Sequence, residues 1–190
     1  MPRRTTAHIY QLKVSLKGAK PPIWRRVLVP SDMDLGRLHR VIQAAMGWMD
    51  YHLHQFIAGR TSFGVADDNA LEWGMEVEDE RKWRLDQLLR CEKDKLRYEY
   101  DFGDGWEHDV TLEKVLPYDA EQALPRCVAG RRACPPEDCG GIWGYAKLLE
   151  VLADPEDPEH DEMLEWLGGG HDPARFDLEE TNWMLAQYAK

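Results

Sequence analysis

The sequence predicts an α+β fold: a mostly antiparallel sheet from residues 8–116 with one early helix, then helices clustered at 142–189. Two observations carry this. Runs that alternate apolar and polar residues fill the first two-thirds, while spacing of three and four appears once early and then dominates the last third. Strand-like runs thus dominate the first two-thirds and helices the last third, and segregation of this kind disfavours a βαβ succession with a parallel sheet.

His8 to Lys17 alternates, with Tyr10, Leu12, Val14 and Leu16 on one side, and reads as a half-buried strand. Gly18-Ala-Lys-Pro-Pro22 is a turn. Ile23 to Val29 is a second strand, β-branched and aromatic. Pro30-Ser-Asp offers caps for a helix over Leu35–Met46, whose Leu35, Leu38, Val41, Ile42 and Ala45 form one apolar face before Gly47 at the C-cap position. His52–Ala58 is expected as a third strand. Residues 60–82 read as a long loop with a short strand near 75–77, and Leu85–Leu89 as one or two helical turns. Leu96–Phe102 and Trp106–Leu116 flank Gly103 and Gly105 and make the clearest hairpin. Residues 117–141, rich in Pro and Gly, read as loop. Helices follow over 142–153, 160–167 and 177–188, with Asp177 as an N-cap. The chain is expected to be a single domain over 1–190.

Hydrophobic residues make up 43% and charged residues 31% of the chain. No apolar run approaches the ~18–20 residues that span a bilayer, and the start has no apolar signal core. A membrane location is therefore not expected, and the cytoplasm, where thiols stay reduced, is. The net charge of −11 is uneven. Residues 1–40 carry nine Lys/Arg against two Asp/Glu, a balance of +7, and the remainder carries −18. Overall acidity argues against broad binding to nucleic-acid backbones. The basic N-terminal third leaves a local nucleic-acid contact or a protein partner open, with internal pairing to the acidic remainder as the alternative.

The densest chemistry lies in Tyr98-Glu-Tyr-Asp-Phe-Gly-Asp-Gly-Trp-Glu-His108. Phe102 and Trp106 are expected to anchor the turn while Asp101 and Asp104 splay outward beside His108. Clustered carboxylates with a His suit Mg²⁺ or acid–base work; the alternative is a hairpin whose Asp side chains satisfy turn amides. Cys127, Cys134 and Cys139 lie within thirteen residues, so a Zn²⁺ site with His108 as fourth ligand is a candidate, against reduced packed thiols. A narrower version places structural zinc at Cys127 and Cys134. His52 and His54, two apart in a strand, would share a face as a metal half-site. The eight Trp, with Trp24 beside Arg25 and Arg26, offer stacking surfaces, against ordinary core packing. Only Ser15, Ser31 and Ser62 are present, and none has a nucleophile's context.

Taken together, Pro22-Ile-Trp-Arg-Arg26, Leu38-His-x-x-Ile42 with Gly47-Trp48, His52-Leu-His-Gln-Phe56, Tyr100 to His108, Cys134-Pro-Pro-Glu-Asp-Cys-Gly-Gly141 with Gly144-Tyr145, and Phe176-Asp177 with Asn182 resemble the plasmid pRiA open-reading-frame-three-like family. The resemblance runs from about residue 8 to 186. It implies a compact α+β domain linked to plasmids or mobile elements, and its members also carry a TnpR-type insertion-element label. It implies no set reaction, and the chain has no resolvase-like serine context. It marks Asp101, Asp104, Trp106, His108, Glu137, Asp138, Gly140 and Gly141 as signature positions, with Cys127 and Cys134; Cys139 is less fixed. The expectation is a cytoplasmic binding or interaction module whose pocket joins the 101–108 turn to the 134–141 loop. Trp24, Arg25, His52, His54, Trp106, Gly140, Gly141 and Tyr145 are its binding candidates. The alternative is a metal-dependent hydrolase or nuclease-like enzyme. There Asp101, Asp104, Glu137 and Asp138 would hold Mg²⁺ or Mn²⁺, and His108 would act as base.

Overall fold

The structure, a computed structural model, describes residues 8–65 and 77–188. Among the described residues eight strands form one sheet: β1 (Ile9–Leu16), β2 (Trp24–Pro30), β3 (His54–Ala58), β4 (Thr61–Gly64), β5 (Glu78–Asp79), β6 (Lys95–Tyr100), β7 (Trp106–Leu116) and β8 (Arg126–Arg131). Their order is β5-β4-β3-β6-β7-β1-β2-β8, and every pairing is antiparallel except the β4–β5 edge. The helices are α1 (Leu35–Met46), α2 (Leu85–Leu88), α3 (Gly141–Ala153), α4 (His160–Trp166) and α5 (Leu178–Tyr188). This is the α+β arrangement expected, with strands first and helices gathered late.

The alternation in β1 falls as predicted, with Tyr10, Leu12, Val14 and Leu16 buried. α1 lays Leu35, Leu38, Val41, Ile42 and Ala45 against that face. Each such side chain contributes roughly 1.5–3 kcal/mol of apolar burial. Asp34 caps α1 by accepting from the Arg37 amide at 2.9 Å, and Gly47 ends it at φ 82°. Three strands escape the sequence pattern. β4 and the two-residue β5 lie in the stretch read as loop, and β8 lies in the Pro/Gly-rich segment. β8 is an edge strand in which Gly130 makes room for Phe176: a Cβ there would lie 2.4 Å from the Phe176 ring. β3 begins at His54, so His52 precedes it. The expected strand near 75–77 falls largely outside the described residues.

The other face of the sheet is ionic. Arg26 and Gln11 converge on Glu113, which a bulge in β7 turns toward them, and Lys17 meets Glu107 at 2.6 Å. Lys13 and Arg26 both lie over the Trp24 ring. Arg25 points the opposite way and is buried. It donates to Ala45 O at 2.9 Å, Trp24 O at 3.0 Å, Arg131 O at 3.2 Å and Cys134 Sγ at 3.0 Å, and its guanidinium lies 4.7 Å from the Phe176 ring centroid. It ties β2, the end of α1 and β8 together. Of the basic residues in β1 and β2, Arg26 pairs with a carboxylate of β7, Arg25 is spent on backbone carbonyls and a thiol, and Lys13 lies over an indole.

The core is unusually polar at its centre. His108, which shares a face with Trp106, is fully buried between Trp48 and Tyr98, and neither ring nitrogen has a hydrogen-bond partner. Burial pushes its pKa down to about 4. The folded chain therefore holds His108 neutral, while the unfolded chain protonates it near the ordinary value of ~6.5. Stability is expected to fall as pH drops from ~6.5 to about 4, and this component levels off below. The His108→Leu variant should be neutral or up to ~1 kcal/mol more stable at pH 7. It should gain roughly a further 2 kcal/mol over wild type at pH 5. Urea denaturation at the two pH values checks both.

Candidate functional site

The 101–108 turn and the 134–141 loop meet. Asp101 sits at φ 54° at the end of β6, and its Oδ1 accepts from the amides of Gly103 at 3.0 Å and Asp104 at 3.3 Å. The Gly105 amide closes the turn on Asp101 O at 2.6 Å. Asp101 is buried and Phe102 is exposed, the reverse of the expected splay, because the carboxylate serves the turn amides. Trp106 is buried as expected. Across the seam, Asp104 Oδ2 accepts from the Gly140 amide at 3.1 Å. Gly141 lies at φ 68°, and a Cβ on it would stand 2.2 Å from Asp104 O, so only glycine lets the loop seat on the turn. Gly144 repeats the device, since its Cβ would stand 1.9 Å from Cys139 O.

Glu137 is tied into the scaffold. It accepts from the Met49 amide at 2.9 Å and from the Tyr100 hydroxyl. Burial, aided by Glu137, drives the Tyr100 pKa upward, so that proton stays in place. Trp48 Nε1 donates to Pro135 O at 2.9 Å. Three candidate groups remain uncommitted: His52, Asp101 Oδ2 and Asp138. His52 Nε2 lies 3.0 Å from Asp138 Oδ1 and 3.7 Å from Asp101 Oδ2. It is shielded from solvent yet aligned for no hydrogen bond. Asp138, like Asp101, is a non-glycine residue at positive φ, 59°. Such backbone is tolerated where surroundings enforce it.

Other sequence candidates separate. His108 lies in the core and away from this seam. His52 and His54 do not share a ligand: without strand pairing at residue 52 the period of two is lost. His54 instead bonds Glu80 at 2.7 Å. Among the described residues, no three of Cys127, Cys134, Cys139 and His108 bring ligand atoms within 4.8 Å of one another. Cys134 lies by Arg25 and Met46, and Cys127 is buried near Asn182, whose side chain bonds its backbone. Burial raises the Cys134 pKa to about 11 and, with Asp104 adding, that of Cys139 to about 12, so both are thiols. Tyr145 bonds His171 at 2.9 Å, and Trp24 lies on the open face of the sheet. The larger hollows lie elsewhere. One of about 620 Å³ lies beside Arg26, Lys93 and Glu113, one of about 360 Å³ between α1, α5 and residues 170–177, and one of about 330 Å³ between the 18–21 turn and α3. At the seam itself Asp101 is buried, His52 is half-buried and Asp138 is exposed.

Sequence reasoning missed His39, Asp50 and Glu80. His39 Nε2 bonds Asp50 at 2.8 Å and its Nδ1 meets the Tyr98 hydroxyl at 2.8 Å. Their wide separation in sequence, residues 39, 50 and 80, carries no local signal that they meet. The seam yields a direct check. Gly141→Ala is expected to cost about 2–3 kcal/mol through positive φ and the backbone clash, whereas Gly168→Ala, with open space around its Cβ, should cost about 1 kcal/mol. Thermal melts of the two variants test this.

Comparison with known proteins agrees with the motif resemblance. The chain is 40% identical over 178 residues to the uncharacterized protein y4hQ of Sinorhizobium fredii, covering 93% of this chain and 90% of that one. Its structure superposes with a TM-score of 0.82 on the crystal structure of MM3350, a protein of unknown function from Methanosarcina mazei Go1. That match is at 40% identity and covers 93% of this chain and 98% of that one. The family model for plasmid pRiA4b ORF-3-like protein matches residues 8–180, and the chain belongs to that family.

Proposed function

We propose that the chain is a binding module of one domain whose cleft at His52, Asp101 and Asp138 takes a divalent cation. The observation that carries this is the uncommitted triad itself. Ligand atoms bound at ~2.0–2.2 Å to one ion lie about 2.8–3.6 Å apart. The separations of 3.0 and 3.7 Å from His52 Nε2 to the two carboxylates sit at that scale before any adjustment. One imidazole with two carboxylates suits Zn²⁺ or Mn²⁺ better than Mg²⁺, whose preference is for oxygen. Three protein ligands leave positions open toward solvent for a partner's or substrate's donor atom.

Binding is favoured over metal-dependent hydrolysis. His108, the base that reading needs, lies in the core, while Glu137 and Asp104 are held in scaffold bonds. A cytoplasmic location is supported by the four unpaired cysteines, and no described helix is long and apolar enough to cross a membrane. The link to plasmids or mobile elements is supported by the family's name.

Titration calorimetry with Zn²⁺ and Mn²⁺ should find one equivalent bound. Free metal at a hundredfold its Kd should stabilise the fold by ~2.7 kcal/mol. Asp138→Asn and Asp101→Asn should each weaken binding by at least about tenfold, since each removes a charged ligand. No uptake, or uptake indifferent to both substitutions, overturns the assignment.

A further inference from the structure

His52 faces Asp101 and Asp138, while the half-exposed Asp50 two residues before it turns to α1 and the buried His54 two residues after it enters the core. Asp50 holds an unfavourable backbone for a non-glycine residue, φ 58°. Its side chain is bonded to His39 Nε2 at 2.8 Å and its amide to Gln43 Oε1 at 3.1 Å, both on α1. His54 is buried and bonded through Nε2 to buried Glu80 at 2.7 Å. The two imidazoles join these anchors into one body: the rings of His39 and His54 stack with centroids 3.4 Å apart and planes within 5°. Tyr100 lies between this stack and the cleft, its ring centroid 6.5 Å from His39 and 5.8 Å from His52.

His39, Asp50 and His54 also place donor atoms within 4.8 Å of one another. They are nonetheless a poor ion site as they stand. An imidazole binds along its in-plane lone pair, and two parallel planes 3.4 Å apart do not send lone pairs to one point. Both carboxylates are already bonded to the rings. The arrangement is therefore one of restraint.

We infer that the stacked His39–Asp50 and His54–Glu80 pairs are positioning groups that clamp residues 50–54 from both ends and so aim His52 at Asp101 and Asp138. This rests on the His52 cleft as a cation site. Removing partners that orient a metal-binding His typically costs 10–100-fold in affinity, and the same scale applies to a clamp on its backbone.

Asp50→Ala tests it on the full chain. The side chain is half exposed, so the variant is expected to fold. Two readouts are taken: Zn²⁺ affinity by calorimetry, and hydrogen exchange of the Tyr51 and Asp101 amides in metal-free protein. Those amides donate to Tyr100 Oη at 3.0 Å and to Leu53 O at 2.9 Å and report the segment's placement without any ion. Zn²⁺ affinity should fall about 10–100-fold and both amides should exchange faster. Asp50→Asn keeps the acceptor and tolerates positive φ, so it should restore both. Unchanged exchange in Asp50→Ala overturns the clamp whatever Zn²⁺ does. Loss of affinity in Asp50→Asn equal to that in Ala overturns it too, by making Asp50 a ligand through its charge. Faster exchange with no Zn²⁺ uptake by wild type retires the cation and keeps the clamp.

Discussion

The carbonyl of Asp104 occupies the place where a side chain at residue 141 would stand. That single close approach sets the geometry of everything around it. It presses the α3 N-terminus onto the hairpin tip, which brings Asp138 beside His52 and leaves Glu137 within reach of Tyr100 and the Met49 amide. The bonds across the seam are individually worth about 1 kcal/mol. Together they bind residues far apart in the chain, and the glycine is what allows them to form at once.

Beneath the seam the core departs from an apolar norm. His39 and Gln43 of α1 are buried against His54, Tyr98 and Tyr100 of the sheet, where apolar side chains would ordinarily meet. Most of their polar atoms are paired, and pairing is what makes such burial tolerable. His108, with both nitrogens unpartnered, and Trp106, with its Nε1 unpartnered, are not paired in this way. The paired groups cluster toward residues 50–54 and the cleft. This distribution sets the site apart from the opposite face of the sheet, where Lys17, Arg26, Lys95 and Arg97 simply meet neighbouring carboxylates.

Much of the fold was legible because period and punctuation agreed. β1, α1 and the β6–β7 hairpin each carry an unbroken pattern with glycine or Asp at the ends. β8 was not legible, since Arg126-Cys-Val-Ala-Gly-Arg131 is an edge strand shaped by Phe176 from far along the chain. For the seam, composition pointed to the two segments that meet but not to which of their carboxylates the scaffold uses. Asp104 and Glu137 look as available as Asp101 and Asp138 in a string of letters. Only the seam reveals that the first pair accept from Gly140, Met49 and Tyr100. His108 sits in a strand whose inward positions are set by Trp106 and Val110, so its burial follows from alternation, whereas its part in a turn site had been inferred from proximity alone. Cys127, Cys134 and Cys139 diverge because β8 and the following loop carry them to different neighbours.

The most direct measurement is anomalous scattering from crystals of the chain grown with Zn²⁺, recorded above and below the zinc absorption edge. One peak within about 2.2 Å of His52 Nε2 and of a carboxylate oxygen from each of Asp101 and Asp138 is the expected result. A map with no peak at His52, or with its zinc on the cysteines instead, would contradict the cleft's assignment.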